Sequence, residues 1–410
     1  MNNNIFCFFC KRNKNQVLCL INNNNIYICN YCIKNFYKKY KNEYIEKDVI
    51  NNNKNFILKL KNKIKYPKNI KKFLDYYIIG QENTKKIISV SIYNHLKRLL
   101  YYYNNINKKE NIEIDKSNIL MIGDTGTGKT LIAKTISKIL KLPFVIVDAT
   151  VFTEAGYVGE DVESILTRLL QISNYNINLT EIGIVYIDEF DKLSRKSSNP
   201  SITRDVSGEG VQQSLLKLFE NSTIYISPFI GRKHPEQNMI PIKTNNILFI
   251  VGGSFEGINN IIKNRMNINN NIKIGYNKVK KKIYKNKNYL KYITIKDLHK
   301  FGIIPEIIGR LPIITYLNKL DKKNLKKIMI EPKNALIKQY IELFKIDNIE
   351  IIIDNSFIDI IVNKAIKLGL GARGLKHICE KIFIEITFNI KKNKKIKLNK
   401  NKIYKILKKI

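Results

Sequence analysis

The sequence predicts an α/β fold: a parallel sheet with helices on both faces, a smaller α+β domain after it and a four-cysteine module before it. Three observations carry this reading. Residues 123–130 read Gly-Asp-Thr-Gly-Thr-Gly-Lys-Thr, the spacing G-x-x-x-x-G-K-T, set between an apolar run and a stretch of helical periodicity. Apolar runs at 119–122, 144–148, 183–188 and 247–251 alternate with helical stretches, the pattern of parallel strands joined by crossovers. Cysteines 7, 10, 29 and 32 form two C-x-x-C pairs with 18 residues between them.

The cysteines come first in the chain. Each C-x-x-C pair offers two thiolates to one ion, and two pairs complete a tetrahedron. Such a site is closed, so Cys7, Cys10, Cys29 and Cys32 are assigned to a structural zinc. Paired disulfides are disfavoured in a reducing compartment. Cys19 and Cys379 are read as ordinary thiols. A module this small builds little core, so the metal is expected to supply most of its folding energy. Residues 1–50 are taken as this module and 51–66, dense in Lys and Asn, as a flexible linker.

Pro67 opens the next domain, taken as 67–315, with a loop at 74–81 leading into a helix that ends near Leu100. In the 123–130 loop, glycines let backbone N–H groups close around phosphate oxygens. Lys129 is placed to reach the β- and γ-phosphates, and the Thr130 hydroxyl to hold Mg²⁺. The nucleotide-contacting run is Gly123, Asp124, Thr125, Gly126, Thr127, Gly128, Lys129, Thr130 and Leu131. A strand, a glycine loop and a helix N-terminus together make an anion site.

Residues 182–189, Ile-Gly-Ile-Val-Tyr-Ile-Asp-Glu, are an apolar strand delivering two acids at its end. Asp188 is placed to hold Mg²⁺ and Glu189 to orient or deprotonate the attacking water. The reaction implied is hydrolysis of ATP, which also needs positive charge from outside the loop. Arg310, after Gly309, and Arg373, within Gly369-Leu-Gly-Ala-Arg-Gly-Leu, stand out as candidates; their chemistry alone also fits surface arginines. Residues 264–296 read as a basic, Asn-rich insertion, and 316–410 as a smaller α+β domain with a short β run at 349–353.

The 410 residues allow two to three domains at ~150 residues each. The 72 Lys+Arg against 34 Asp+Glu, net +38, fit a nucleic-acid or membrane-surface binder. They fit better a chain shaped by adenine- and thymine-rich codons, because lysines, asparagines, isoleucines and tyrosines run through its whole length. Neither nucleic acid nor membrane is therefore expected as a partner. No apolar stretch reaches transmembrane length, and with a patterned cysteine at position 7 no transit peptide is expected. The expected location is a bacterial-type cytoplasm, or the lumen of an organelle that encodes the chain.

Together these motifs resemble the ClpX family, zinc-domain AAA+ unfoldases of the Clp/Hsp100 group that feed the ClpP peptidase. The likeness runs from the cysteine quartet to about residue 385. Its specific stretches are Ile79-Gly-Gln-Glu-Asn, Thr153-Glu-Ala-Gly-Tyr-Val-Gly-Glu-Asp, residues 199–213 and Gly231-Arg-Lys-His-Pro. It implies an AAA+ P-loop NTPase sheet and a homohexamer that threads unfolded or tagged proteins through a pore, helped by adaptors. By the resemblance, Ile78 and Ile79 line the adenine pocket, Arg310 is a finger reaching a neighbour's nucleotide, and Arg373 is the small domain's sensor. Tyr157 and Val158 look like the gripping pair of a pore loop, Arg204 lies in a second pore loop, and Arg232, Lys233 and His234 form a basic pore entrance.

Two positions depart from the family pattern. Ile274-Gly275-Tyr276 aligns with the tripeptide that docks in ClpP, where the family ends in Phe or Leu. An unpaired buried hydroxyl there would cost ~1–3 kcal/mol. Asp124 replaces the family's Pro, and its carboxylate is expected to point away from the phosphates. Two other readings stay open at this point: a remodelling chaperone independent of ClpP, which the Tyr276 loop allows, and a nucleic-acid motor or clamp loader, which the charge allows.

Overall fold

Residues 6–23, 26–40, 55, 57–59, 62, 66–105, 112–153, 159–194, 208–227, 239–271, 288–369, 371–388 and 395–398 are described by a computed structural model. Two units divide the chain: Met1–Leu60 with Leu100–Lys109, and Lys61–Leu99 with Glu110–Ile410.

In the first unit, β1 (Leu20–Asn23) pairs antiparallel with β2 (Ile26–Cys29), Leu20 opposite Cys29. A helix, Asn30–Tyr40, follows at once. This register sets Cys29 at the end of a strand and Cys32 in the first helical turn. Among the described residues 6–40, only Cys7 and Cys29 are buried, while Phe8, Phe9 and Ile21 are more than half exposed. An apolar core is thus not what holds this module together.

The second unit is built on β3 (Ile119–Ile122), β4 (Phe144–Asp148), β5 (Ile184–Asp188), β6 (Thr223–Ile226), β7 (Ile240–Lys243), β8 (Leu248–Gly253) and β9 (Ile313–Tyr316). Five of these form one parallel sheet in the order β4-β5-β8-β3-β9. Every residue of β3 and β8 is buried, as strands covered on both faces must be. The helix Lys129–Leu140 buries Ile132, Ala133, Ile136 and Leu140, one helical face. Helices Ser164–Ile172 and Glu209–Phe219 close the core, with Leu166, Leu215 and Phe249 inside it. Strands β6 and β7 form an antiparallel hairpin apart from the main sheet.

A second core follows. Helices Lys322–Ile330, Leu336–Ile346, Asn355–Leu368 and Gly371–Phe388 pack around Phe357, Ile361, Leu375 and Phe383. Tyr340 stacks on Phe383 with centroids 3.8 Å apart. Strand β10 (Glu350–Ile353) pairs parallel with β11 (Lys395–Leu398), giving the expected α+β character. Cys379 is fully buried here, which pushes its thiol up to about 12; Cys19 is exposed. Among the described residues no helix is long and apolar enough to cross a membrane.

The structure departs from the sequence reading in four places. A helix, Pro67–Asp75, precedes the expected loop, started by Pro67 in its first turn. The next helix, Glu82–Asn105, runs past Leu100. Residues 55, 57–59 and 62, within the expected linker, are helical, and Ile57 is fully buried. The expected unpatterned insertion at 264–296 starts inside the helix Ile258–Asn271 and ends in a turn, Tyr289–Tyr292, and a helix, Ile295–Phe301. Buried Asp297 orders this last part: it caps Thr294 and pairs with Arg265, its Oδ1 taking Arg265 Nε–H at 2.9 Å.

Candidate functional site

The site forms where the C-terminal ends of β3 and β5, with β8 between them, meet the loop 123–128. Gly126 and Gly128 adopt φ +76° and +106°, a backbone only glycine enters at little cost. The helix Lys129–Leu140 then starts with unpaired N–H groups facing the loop. Lys129 is 8 % exposed and donates to the carbonyls of Gly123 and Asp124. Burial pulls its ammonium below the ordinary lysine value, and Asp188 and Asp191 pull the other way. The loop is thereby tied to its own lysine, which lies where a phosphate would compete for it.

Asp188 closes the opposite wall. Thr130 Oγ1–H donates to Asp188 Oδ2 at 2.6 Å, and Tyr186 O–H donates to Asp188 Oδ1 at 3.1 Å. Burial and the neighbouring carboxylate raise the Tyr186 phenol, so it stays a proton donor. A threonine hydroxyl beside a carboxylate is a hard oxygen set that suits Mg²⁺, which would neutralise phosphate charge there. Glu189 follows in a left-handed conformation, φ +54°, and is exposed. That backbone costs a non-glycine residue ~1–2 kcal/mol. Observed strain of this kind at a strand end points to a functional position. Asp191 accepts from Ser254 N–H at 2.9 Å and Ser254 O–H at 2.8 Å, tying β5's exit to β8's.

Asp124 is 42 % exposed in its side chain, with Lys319 Nζ 3.4 Å from Oδ2. The carboxylate therefore faces a lysine at the rim. Ile78 is buried and Ile79 partly so, in the turn 76–81. Arg373 is exposed near the start of the helix Gly371–Phe388, and the next peptide back, Ala372 N–H, donates to Gly126 O at 3.3 Å. Arg310 is exposed and Nη2 lies 3.0 Å from Glu220 Oε1. Tyr157, Val158, Arg204, Arg232, Lys233, His234 and the Ile274-Gly275-Tyr276 tripeptide lie outside the described residues.

Several supports were not read from sequence. Asn118 Nδ2–H donates to Arg310 O at 3.0 Å, while Asn118 Oδ1 accepts from Phe249 N–H. Lys116 donates to the carbonyls of Leu218, Glu220 and Thr244. Burial, then Arg98 and Arg310, bring its ammonium down to about 7. A polar residue just before a buried strand is the only signal the sequence offers for either. Gly252 is a third: a Cβ there would come 2.2 Å from Tyr186 Oη. Gly252→Ala should push Tyr186 off Asp188 and destabilise the fold by ~1–3 kcal/mol. A thermal melt unchanged from wild type would show that β8 absorbs the methyl.

The second candidate site is the cysteine cluster. The four Sγ atoms of Cys7, Cys10, Cys29 and Cys32 lie within 4.8 Å of one another. Cys7–Cys32 is 3.8 Å and Cys10–Cys29 3.5 Å, against the ~3.8 Å edge of a tetrahedron with Zn–S bonds of ~2.3 Å. None is in a disulfide. Cys29 N–H donates to Cys7 Sγ and Cys32 N–H to Cys29 Sγ, the support thiolates require. Burial raises Cys7, but N–H donors from Cys10, Cys29 and Phe9 outweigh it and bring the thiol down to about 6. Burial and the neighbouring thiols hold Cys32 up at about 12. The residues fit a closed Zn²⁺ site with no open position.

Comparison with known proteins follows the same division. The model of the AAA domain (Cdc48 subfamily) matches residues 114–314, and that of the ClpX C4-type zinc finger matches residues 5–42. The ATP-dependent Clp protease ATP-binding subunit ClpX of Bacteroides thetaiotaomicron is 52 % identical over 388 residues, 94 % of this chain and 91 % of that protein. The protein of the same name from Bacteroides fragilis is 51 % identical over 394 residues, 95 % and 92 %. That of Porphyromonas gingivalis is 48 % identical over 407 residues, 97 % and 95 %.

Proposed function

Because the chain belongs to the ClpX family, we propose that it forms a hexameric ring in which ATP hydrolysis at the 123–130 loop and the end of β5 drives a polypeptide through a central pore. It is an ATP-hydrolysing protein unfoldase of the Clp protease and not itself a peptidase; ATP, Mg²⁺ and a structural Zn²⁺ are its cofactors. The observation that carries the nucleotide chemistry is the 2.6 Å bond from Thr130 to Asp188, the two oxygens that would hold Mg²⁺.

The proposed roles follow the geometry. Lys129 leaves its carbonyl partners for the β- and γ-phosphates, and Glu189 orients or deprotonates the attacking water. Arg373 reads the nucleotide from the second core, and Arg310 reaches the site of the next subunit. Ile78 and Ile79 wall the adenine. Tyr157 and Val158 grip the moving chain, helped by Arg204 and the basic entrance of Arg232, Lys233 and His234. The parts assigned are a zinc module at 1–50, a linker at 51–66, a large ATPase domain at 67–315 and a small domain at 316–410. The setting proposed is a bacterial-type cytoplasm or an organelle lumen.

Degradation of a C-terminally tagged fluorescent protein by this chain with the ClpP of its own cell tests the reading; loss of fluorescence without ATP would overturn it. In the same assay Tyr157→Ala should keep ATP turnover and slow unfolding about tenfold or more. Unimpaired unfolding would remove Tyr157 from the grip. Docking through Ile274-Gly275-Tyr276 is tested by co-purification with ClpP; its failure would favour a remodelling chaperone that works alone.

A further inference from the structure

We propose that Gln81 is a positioning residue that ties the adenine-side turn to the junction between the two cores, so that nucleotide binding sets the angle between them. The idea rests on the proposed adenine wall at Ile78 and Ile79. It starts from one pairing: Gln81 Nε2–H donates to Asn318 O at 2.8 Å, and Asn318 N–H donates to Gln81 Oε1 at 2.7 Å. A side-chain amide thus satisfies both backbone groups of one peptide residue, as a strand partner would. Gln81 is 6 % exposed and holds φ +59°, directly after Gly80 at +71°. A non-glycine residue kept in that conformation is held there by its surroundings.

Asn318 is where the two cores part. Just before it, Leu317 N–H donates to Ile122 O at 2.7 Å, and Leu317 lies against Gly123, the first residue of the phosphate loop. Just after it, Lys319 and Lys322 are exposed, and the helix Lys322–Ile330 begins the second core. Leu317 is therefore the last residue bonded to the sheet, and the backbone at 318 is held by the turn through Gln81. The turn that pins it also touches the second core: Tyr76 O accepts from Lys333 N–H at 2.8 Å, and Gly80 packs on Asn324. Behind the turn, Thr84 Oγ1–H donates to Tyr316 O at 2.6 Å.

The turn 76–81 is anchored from below as well. Lys85, 2 % exposed, pairs with Asp75 and Glu82 and donates to Ile78 O. A displacement of Ile78 and Ile79 is passed along the turn to Gln81, whose amide holds both backbone groups of Asn318. The second core meets the phosphate side independently, through Ala372 N–H on Gly126 O and through Gly371, whose added Cβ would lie 3.3 Å from that carbonyl. Base and phosphates are thus sensed at two separate points of the second core. The base side acts through a side chain, Gln81, that can be exchanged without touching the phosphate loop.

Spin labels at Lys134→Cys and Lys367→Cys, both exposed and one in each core, report the angle in a full-length Cys19→Ser background. A slowly hydrolysed ATP analogue should shift the label distance with wild-type Gln81. With Gln81→Met, similar in size but unable to pair, the distances with and without analogue should coincide. KM for ATP should stay within about threefold while kcat falls about tenfold or more. Gln81→Glu, which faces the Asn318 carbonyl with a carboxylate, should behave the same way and serves if the Met variant does not fold. A shift of wild-type size in either variant overturns the proposal, as does the lack of any shift with Gln81 present. A wild-type chain that hydrolyses ATP without unfolding substrate would instead defeat the unfoldase reading, and the label distances would still decide the role of Gln81.

Discussion

Glu189→Gln is expected to leave ATP bound and to cut its turnover by about 10²- to 10⁴-fold, the range a positioned general base supplies. The substitution keeps size and backbone, including the left-handed φ of +54°, and removes only the ability to take a proton. Asp188 keeps its bonds from Thr130 and Tyr186, so the oxygens proposed for Mg²⁺ are untouched. Lys129, across the loop, is untouched too. Binding measured with a fluorescent ATP analogue and turnover measured by phosphate release should therefore separate. Equal loss of both would mean that position 189 shapes the site and does not act on water. Turnover at the wild-type rate would move the base elsewhere, and Asp191 would not serve, since its carboxylate is already taken by Ser254.

Stripping zinc, or replacing Cys29 by Ser, is expected to unfold the amino-terminal module while the nucleotide unit remains folded. Structural zinc binding is worth ~10–16 kcal/mol at neutral pH. Little else is available to offset its loss, because the only buried described residues of the module are two of the ligands themselves. Exposed Phe8, Phe9 and Ile21 cannot supply a substitute core. Hydrogen exchange on the full chain should show the amides of 26–40 losing protection after chelation, with those of β3, β5 and β8 unchanged. Protection that survives in 26–40 once metal analysis shows no zinc would contradict a metal-built module.

Much of the sheet was legible because its strands are buried on both faces. Ile119–Ile122 and Ile184–Ile187 are unbroken apolar runs, the pattern of parallel strands covered on both faces. The loop 123–130 and the cysteine pairs were legible because their chemistry fixes spacing along the chain. The β6–β7 hairpin was not: its strands, TIYI and IPIK, are short, partly exposed and far apart in sequence. The helix at 295–301 escaped because an Asn- and Lys-rich stretch hides the one acid, Asp297, that organises it. Gln81 escaped for a different reason. Its partner lies 237 residues away, and a polar side chain that pairs with backbone leaves no mark on the partner's sequence. The second wall of the site, Asp188 and Glu189, was legible as residues, whereas the strain at 189 belongs to the backbone alone.

The Arg310–Glu220 pair bears on how a ring could come together. Both side chains are about half exposed, and such a surface pair is worth only ~0–1 kcal/mol. Under the proposed assembly, an arriving neighbour that offers its nucleotide phosphates would outbid Glu220 easily. Under that assembly the arginine would be stored close to its working place by Asn118, which holds its carbonyl, and loosely by Glu220, which holds its tip. A lone subunit would then carry a sheathed cation rather than a bare one, little inclined to capture stray anions. Concentrated salt would weaken the sheath and the neighbour's grip alike, leaving the balance between solitary and joined subunits less salt-sensitive than the arginine's charge alone would suggest.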